Sequence, residues 1–235
     1  ANIIITGASS GIGFETVLDL TANKNNNVIA LARSADKLRR LHEISKDLNF
    51  DGGELFPAQF DIVYDDYANG LVPFVQSKFD KVDILINNAG ALINKPFMDS
   101  TAEDFATMLQ SNILGHVNMI QHIVPLMREG GHIVNISSMG GYQGSTKFAG
   151  LSAYSSSKAA LAVLTECLAE EFKDRDIKVN CLALGSSQTE MFEEAFPGLN
   201  AGTLAFEMGR YVAEFAQNGS KFYNGKILPV SNTTP

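Results

Sequence analysis

The stretch TGASSGIG, residues 6–13, decides the fold. It closes the β-rich run NIIIT (2–6) and opens an apolar-periodic run over 12–23, so strand, glycine turn and helix follow one another without a linker. Gly7, Gly11 and Gly13 are spaced G-x3-G-x-G. Glycines in such a turn let the backbone curve tightly and approach a ligand closely, while the free N–H groups of the helix start face an anion. The position at a first strand-to-helix crossover, more than the glycine count, makes a pyrophosphate the expected ligand. The loop residues Gly7, Ser9, Ser10, Gly11, Ile12 and Gly13 are the candidates to bind it.

Outward from this unit the same alternation repeats. Further strands are expected at VIALA (28–32), ELFPAQF (54–60), VDILINN (82–88), HIVNIS (132–137), IKVNCLAL (177–184) and KILPV (226–230). Helical periodicity covers 36–48, 65–79, 101–128, 154–173 and 203–218. Several strands are apolar on both alternating faces, the pattern of strands covered by helices on either side. The expected fold is therefore α/β, a doubly wound, parallel seven-stranded sheet of Rossmann-like type with helices on both faces. One domain, 1–235, is expected, because no linker or repeat divides the chain. Its long interruption, GSSQTEMFEEAFPGLNAG (185–202), makes a substrate loop around 185–210.

Composition narrows the partners. The 235 residues are 45% hydrophobic and 19% charged, with a net charge of -8. That balance suits one sizeable core and argues against nucleic acid or an anionic membrane, which require basic clusters. The densest basic stretch, KLRRL (37–41), reads as a solvated helix face. Cys167 and Cys181 form no CxxC pair and are expected as buried thiols of a reducing compartment. No signal-peptide pattern or membrane-length apolar run is present, so a cytoplasmic protein is expected. His42, His116, His122 and His132 lack metal-ligand spacing, and no metal is expected.

The residue ending the second strand distinguishes the dinucleotides. A carboxylate there holds the ribose hydroxyls of NAD, whereas a basic residue accepts the 2′-phosphate of NADP. Here Ala32 is followed by Arg33 and Ser34, with Lys37 one turn on, which favours NADP(H) over NAD(H). Asp61, in FDI (60–62), is placed either to accept from the adenine amino group beside Ile62 or to cap its own turn. NNAG (87–90) and SSMGG (137–141) end the fourth and fifth strands and, in such a sheet, face the same crevice.

YSSSK (154–158) opens the next helix. Tyr154 and Lys158, at i and i+4, share one face, so an ammonium lies near a phenol and favours its ionised form. With a serine hydroxyl to polarise a carbonyl, this set suits proton transfer during carbonyl reduction.

The order TGASSGIG, NNAG, paired serines, Tyr-x-x-x-Lys resembles the short-chain dehydrogenase/reductase family in its short cytosolic form, over essentially the whole chain. The resemblance implies Tyr154 as general acid/base, Lys158 as its pKa-lowering partner and ribose binder, and Ser138 as donor to the substrate oxygen. Ser137 and Ser152 compete for that last role, because the loop before Tyr154 is longer than usual. Asn112, in SNILGHVNM (111–119), matches an asparagine that holds a relay water. The resemblance also places Asn87, Ala89 and Gly90 beside the cofactor, and Gly185 and Thr189 of LGSSQT against the nicotinamide. Leu184 stands where the family has proline.

Leu92, Ile93, Tyr142, Phe148, Met191, Phe192, Phe196, Leu199, Leu204, Phe206 and Met208 are candidates to line an apolar pocket for a small carbonyl or alcohol substrate. Ala159, Ala162 and Ala169 form a small-residue helix face suited to pairing in a homo-oligomer, a dimer or tetramer. The expected activity is NADP-dependent interconversion of a carbonyl and an alcohol. The rivals are a catalytically silent dinucleotide-binding regulator and an epimerase or dehydratase of the same fold.

Overall fold

The computed structural model describes residues 1–49 and 51–232; Phe50 and the last three residues of the expected 1–235 domain lie outside the described residues. The chain forms β1 (Asn2–Thr6), α1 (Gly11–Thr21), β2 (Asn27–Ala32), α2 (Ala35–Leu48) and β3 (Glu54–Gln59). A π-turn (Tyr67–Leu71) then runs into α3 (Val72–Lys78), followed by β4 (Val82–Asn87), α4 (Ala102–Leu109), a second π-turn (Gln110–Leu114) and α5 (Gly115–Ile123). After β5 (Met127–Ser138) come α6 (Ser152–Glu171), β6 (Lys178–Leu184), β7 (Ser187–Gln188), α7 (Glu190–Ala195), β8 (Thr203–Leu204), α8 (Ala205–Asn218) and β9 (Ile227–Val230).

Seven strands pair in the order β3-β2-β1-β4-β5-β6-β9, every neighbour parallel. The isoleucines of β1 show why. Ile3 and Ile5 point into the core under α1, α2 and α8, while Ile4 points into the core under α3, α5 and α6. All three are fully buried, each worth about 1.5–3 kcal/mol of transfer free energy. A strand apolar on both faces is stable only between two helix layers, which requires crossover connections and hence parallel pairing. The order reverses between β1 and β4, so their carboxyl ends splay apart into a crevice.

Element ends follow local chemistry. Ser34 caps α2 by accepting from the Lys37 N–H, and Leu38, Leu41 and Ser45 turn inward at helical spacing. Thr101 and Asp104 form a reciprocal capping box at the start of α4.

Three expected elements differ. The helix expected at 101–128 is divided by the Gln110–Leu114 π-turn and stops at Ile123, where Pro125 removes a donor. Strand β5 accordingly begins at Met127 and regains register only after a bulge opposite Val82–Ile84. Segment 185–202 carries α7, and its β7 pairs in parallel with β8 to make a two-stranded ribbon. Among the described residues, no helix is long and apolar enough to cross a membrane.

Two side-chain expectations are corrected. Cys167 is exposed, because it lies on the solvent side of α6, while Cys181 is buried in β6. Ala162 and Ala169 are buried within the chain's own core, at 4% and 6% exposure, so the exposed face of α6 carries Val163, Glu166 and Cys167 instead.

Candidate active site

The glycine loop sits at the switch point, held by the strand beside it. Gly7 has φ +68, and a Cβ there would stand 2.7 Å from the Ala89 Cα, so the turn after β1 and the turn after β4 press together backbone to backbone. Asn88 fastens them: its side-chain amide donates to the Thr6 and Gly7 carbonyls at 3.1 Å each, and its N–H donates to the Thr6 hydroxyl. A Cβ on Gly13 would lie 2.3 Å from the Gly7 carbonyl oxygen, which closes the loop against the first turn of α1. Ser10 is the N-cap of α1 and makes no side-chain cap bond. Ser9, Gly11 and Ile12 complete the turn at the N-terminus of α1. These features fit a dinucleotide pyrophosphate, with its charge met by N–H groups and the helix dipole.

At the neighbouring crevice edge, Arg33 is exposed, Ser34 caps α2, and Ala32 is buried. Beyond β3, Asp61 accepts from the Val63 N–H at 2.9 Å. One of its oxygens therefore caps its own turn, the second of the two readings its sequence position allowed. Ile62 is buried against Gly115, and its carbonyl accepts from the Tyr67 hydroxyl at 2.6 Å.

Asn112, Tyr154 and Lys158 meet at the carboxyl ends of β4 and β5. A Cβ on Gly90 would lie 3.0 Å from the Asn112 Oδ1 and 3.4 Å from the Lys158 Nζ, so the NNAG turn covers both side chains. Lys158 is 4% exposed and donates to the Ile136 carbonyl at 2.9 Å. Its Nζ lies 5.9 Å from the centre of the Tyr154 ring. Burial brings the Lys158 amine down to about 8. Tyr154 is raised above its ordinary value by burial, and the Ser138 hydroxyl facing it works against that rise.

The serines separate by their partners. Ser138 accepts from the Gly140 N–H at 3.1 Å, which leaves its own proton to donate toward the crevice. Ser137 instead donates to the Lys158 carbonyl at 2.8 Å, tying β5 to α6. The Ser152 hydroxyl oxygen, at the start of α6, is buried and lacks a hydrogen-bond partner among the described residues. Of the three, Ser138 is the one beside Tyr154.

The hydroxyls inside YSSSK have a structural use. Ser157 is fully buried, donates to the Tyr154 carbonyl and accepts from the Asn112 amide at 2.9 Å. Asn112 also accepts from the Ala91 N–H at 2.8 Å and donates to the Ala91 carbonyl at 2.9 Å. Its side chain is therefore spent on positioning the NNAG turn, so a water held here must use backbone groups of its π-turn. Asn87 donates to Asn135, which donates to Thr165 on α6, extending a buried polar layer beneath the site. His116, one turn after Asn112, is held neutral near pKa 3 by burial and by the Lys158 charge.

Gly185 and Thr189 reach the site from the other side. Gly185 donates to the Val230 carbonyl at 2.8 Å. Thr189 caps α7, and its methyl group lies 3.1 Å from where a Cβ on Gly11 would stand. Among the pocket candidates, Phe148, Met191, Leu199, Leu204 and Phe206 are exposed, and Phe192 and Phe196 pack ring against ring at 5.3 Å. Met208 is 4% exposed within the core against α1, which removes it from the lining.

Thr6 and Ser157 were not anticipated from the sequence, and Asn88 only as one of the NNAG amides able to bridge strand ends. All three act on backbone atoms or on another site residue rather than toward a ligand, and their only signal was membership of a motif.

A family model described as short chain dehydrogenase matches residues 1–200. An oxidoreductase of Botryotinia fuckeliana is 32% identical over 188 residues, 79% of this chain, which spans 65% of that relative's length. A 3-oxoacyl-(acyl-carrier-protein) reductase of Thermotoga maritima is 34% identical over 193 residues, 81% of this chain and 76% of that protein. Among solved structures, a 7 alpha-hydroxysteroid dehydrogenase complexed with NADH and 7-oxo glycochenodeoxycholic acid superposes with a TM-score of 0.87 at 27% identity, covering 99% of this chain and 93% of that one.

Proposed function

Since this chain belongs to the short-chain dehydrogenase/reductase family of nicotinamide-dependent oxidoreductases, we propose that it is an NADP(H)-dependent enzyme interconverting a carbonyl and an alcohol. The observation that carries this reading is the convergence of the Ser138 hydroxyl, the Tyr154 phenol and the Lys158 ammonium beside Gly90, in the crevice that also holds the glycine loop. The cofactor supplies the hydride. Gly7, Ser9, Ser10, Gly11, Ile12 and Gly13 hold its pyrophosphate, and Asn87, Ala89 and Gly90 pack beside it. Asp61 and Ile62 border the adenine, Arg33 and Ser34 take the 2′-phosphate, and Gly185 and Thr189 flank the nicotinamide.

During reduction, Tyr154 donates its proton to the substrate oxygen, and Ser138 donates a hydrogen bond to the same atom. The Gly140 N–H fixes the Ser138 acceptor side, so its proton has one productive direction. Burial alone would leave the phenol too weak an acid to exchange protons readily near neutral pH. The cation of Lys158 offsets this as charge develops on the tyrosine oxygen, and the same lysine binds the ribose. Asn112 positions the NNAG turn and, through its π-turn, holds a relay water.

NADP(H) is favoured because Arg33 and Ser34 follow a buried Ala32 with no carboxylate between them. The exposed Phe148, Met191, Leu199, Leu204 and Phe206 favour an apolar carbonyl compound, and the matched steroid dehydrogenase is complexed with a 7-oxo steroid. A homo-oligomer working in the cytoplasm belongs to the same reading.

The test is NADPH-dependent, and in parallel NADH-dependent, reduction of a panel of ketones, aldehydes and diketones. Turnover with NADPH supports the reading. NADH preference overturns the cofactor assignment, and saturable NADPH binding without turnover across the panel favours a silent regulator.

A further inference from the structure

Two residues 153 positions apart meet at the edge of the cofactor crevice: the Lys37 Nζ lies 2.7 Å from the Glu190 Oε2. Lys37 stands in the first turn of α2, its backbone N–H donating to the Ser34 hydroxyl, so the residue follows Arg33 and Ser34 within one turn of the end of β2. Glu190 begins α7, directly after Thr189, whose methyl group faces Gly11. Residues 189–190 therefore run from the glycine loop to α2. They cross the crevice between the end that takes a pyrophosphate and the end that takes an adenosine ribose.

We propose that Glu190 is a cofactor-discriminating residue: it competes with the 2′-phosphate of NADP(H) for Lys37, and 2′-phosphate binding releases the α7 end of the substrate loop. The inference rests on the NADP(H) reading above and adds to it a carboxylate supplied from the substrate loop rather than from the end of β2. The competition is decided by charge. Lys37 and Glu190 keep 48% and 64% of their side-chain surface exposed, so their attraction is screened and weak. A phosphate presents a larger charge and several acceptor oxygens to the same ammonium, with Arg33 and Ser34 adjoining. The phosphate takes the lysine, and Glu190 is left without its cation beside a like charge. That separation moves the first turn of α7, which carries Met191 and Phe192, away from α2. An unphosphorylated dinucleotide leaves the ion pair standing.

Binding of 2′,5′-ADP and of 5′-AMP, measured by titration calorimetry at low salt, tests this without any carbonyl substrate. Glu190→Gln should strengthen 2′,5′-ADP binding about two- to fivefold, the size of an exposed ion pair, and leave 5′-AMP within about twofold. Lys37→Met should weaken 2′,5′-ADP, and in that background Glu190→Gln should have no further effect. If Lys37→Met weakens 2′,5′-ADP but Glu190→Gln leaves it unchanged or weaker, the NADP(H) reading stands and the Glu190 inference is overturned. If the unsubstituted protein binds 2′,5′-ADP no better than 5′-AMP, the NADP(H) reading fails and the inference falls with it.

Discussion

Lys158 carries a conflict between stability and function that a single substitution exposes. Its amine is buried and held near 8 against an ordinary 10.5, which makes the charged form costly in the folded state by roughly 3 kcal/mol. The unfolded chain binds the proton more tightly, so this group's cost is fully present below pH 8 and is relieved as pH rises from about 8 to 10.5. Lys158→Met should therefore raise folding stability at pH 7 by about 1–3 kcal/mol, after allowing for the lost bond to Ile136, while abolishing turnover. Denaturant melts of both proteins at pH 7 and pH 10 check the sign: the variant's advantage must shrink with pH. Arg33 is exposed, and the proposed NADP(H) reading gives its side chain to the 2′-phosphate. Arg33→Ala should raise the Kd for NADPH about tenfold or more and leave that for NADH within about twofold, as read by fluorescence titration. Tyr154 and Lys158 were legible because their spacing is itself the geometry. Thr6 was not, since its hydroxyl's partners are N–H groups that only the meeting of β1 and β4 brings near.

Elements meet closely where glycines permit it. The Thr16 hydroxyl donates to the Gly209 carbonyl at 3.2 Å, and a Cβ on Gly209 would stand 2.5 Å from the Glu15 Cβ. Helices α1 and α8 thus touch backbone to backbone beneath the glycine loop. Alanine at 209 gains about 1 kcal/mol of helix propensity but overpacks a rigid contact at a cost of about 1–3 kcal/mol. Gly209→Ala should lower stability by up to about 2 kcal/mol, and a rise in Tm would contradict the packing account. The strands of the main sheet were legible from their apolar content and the helices from their period. The two π-turns, the early start of β5 and the β7–β8 ribbon were not, because each answers a tertiary demand. The second π-turn shows this: it seats Asn112 against Ala91 and Ser157, residues distant in sequence.

Across the whole molecule, the sheet's reversal between β1 and β4 gathers the ligand-facing turns on one edge, and a ligand bound there ties many elements together. NADPH at about a hundred times its Kd should add about 2.7 kcal/mol and raise Tm by roughly 5–10 °C for a chain of this size; an unchanged Tm would mean that the folded chain does not bind it. The parallel order was legible from the alternation of strands and helices, whereas the crossing of the substrate loop from Gly11 to Lys37 was not, since nothing in either segment alone marks the other. In the proposed mechanism Tyr154 transfers a proton in an enzyme whose hold on NADP(H) does not depend on the phenol hydroxyl. The most direct measurement is therefore kcat of Tyr154→Phe against the unsubstituted protein on the best carbonyl substrate, with the Kd for NADPH determined for both. Tyr154→Phe should leave the Kd unchanged and lower kcat by about two to four orders of magnitude. A kcat within a few-fold of the original, with NADPH still bound, would contradict it.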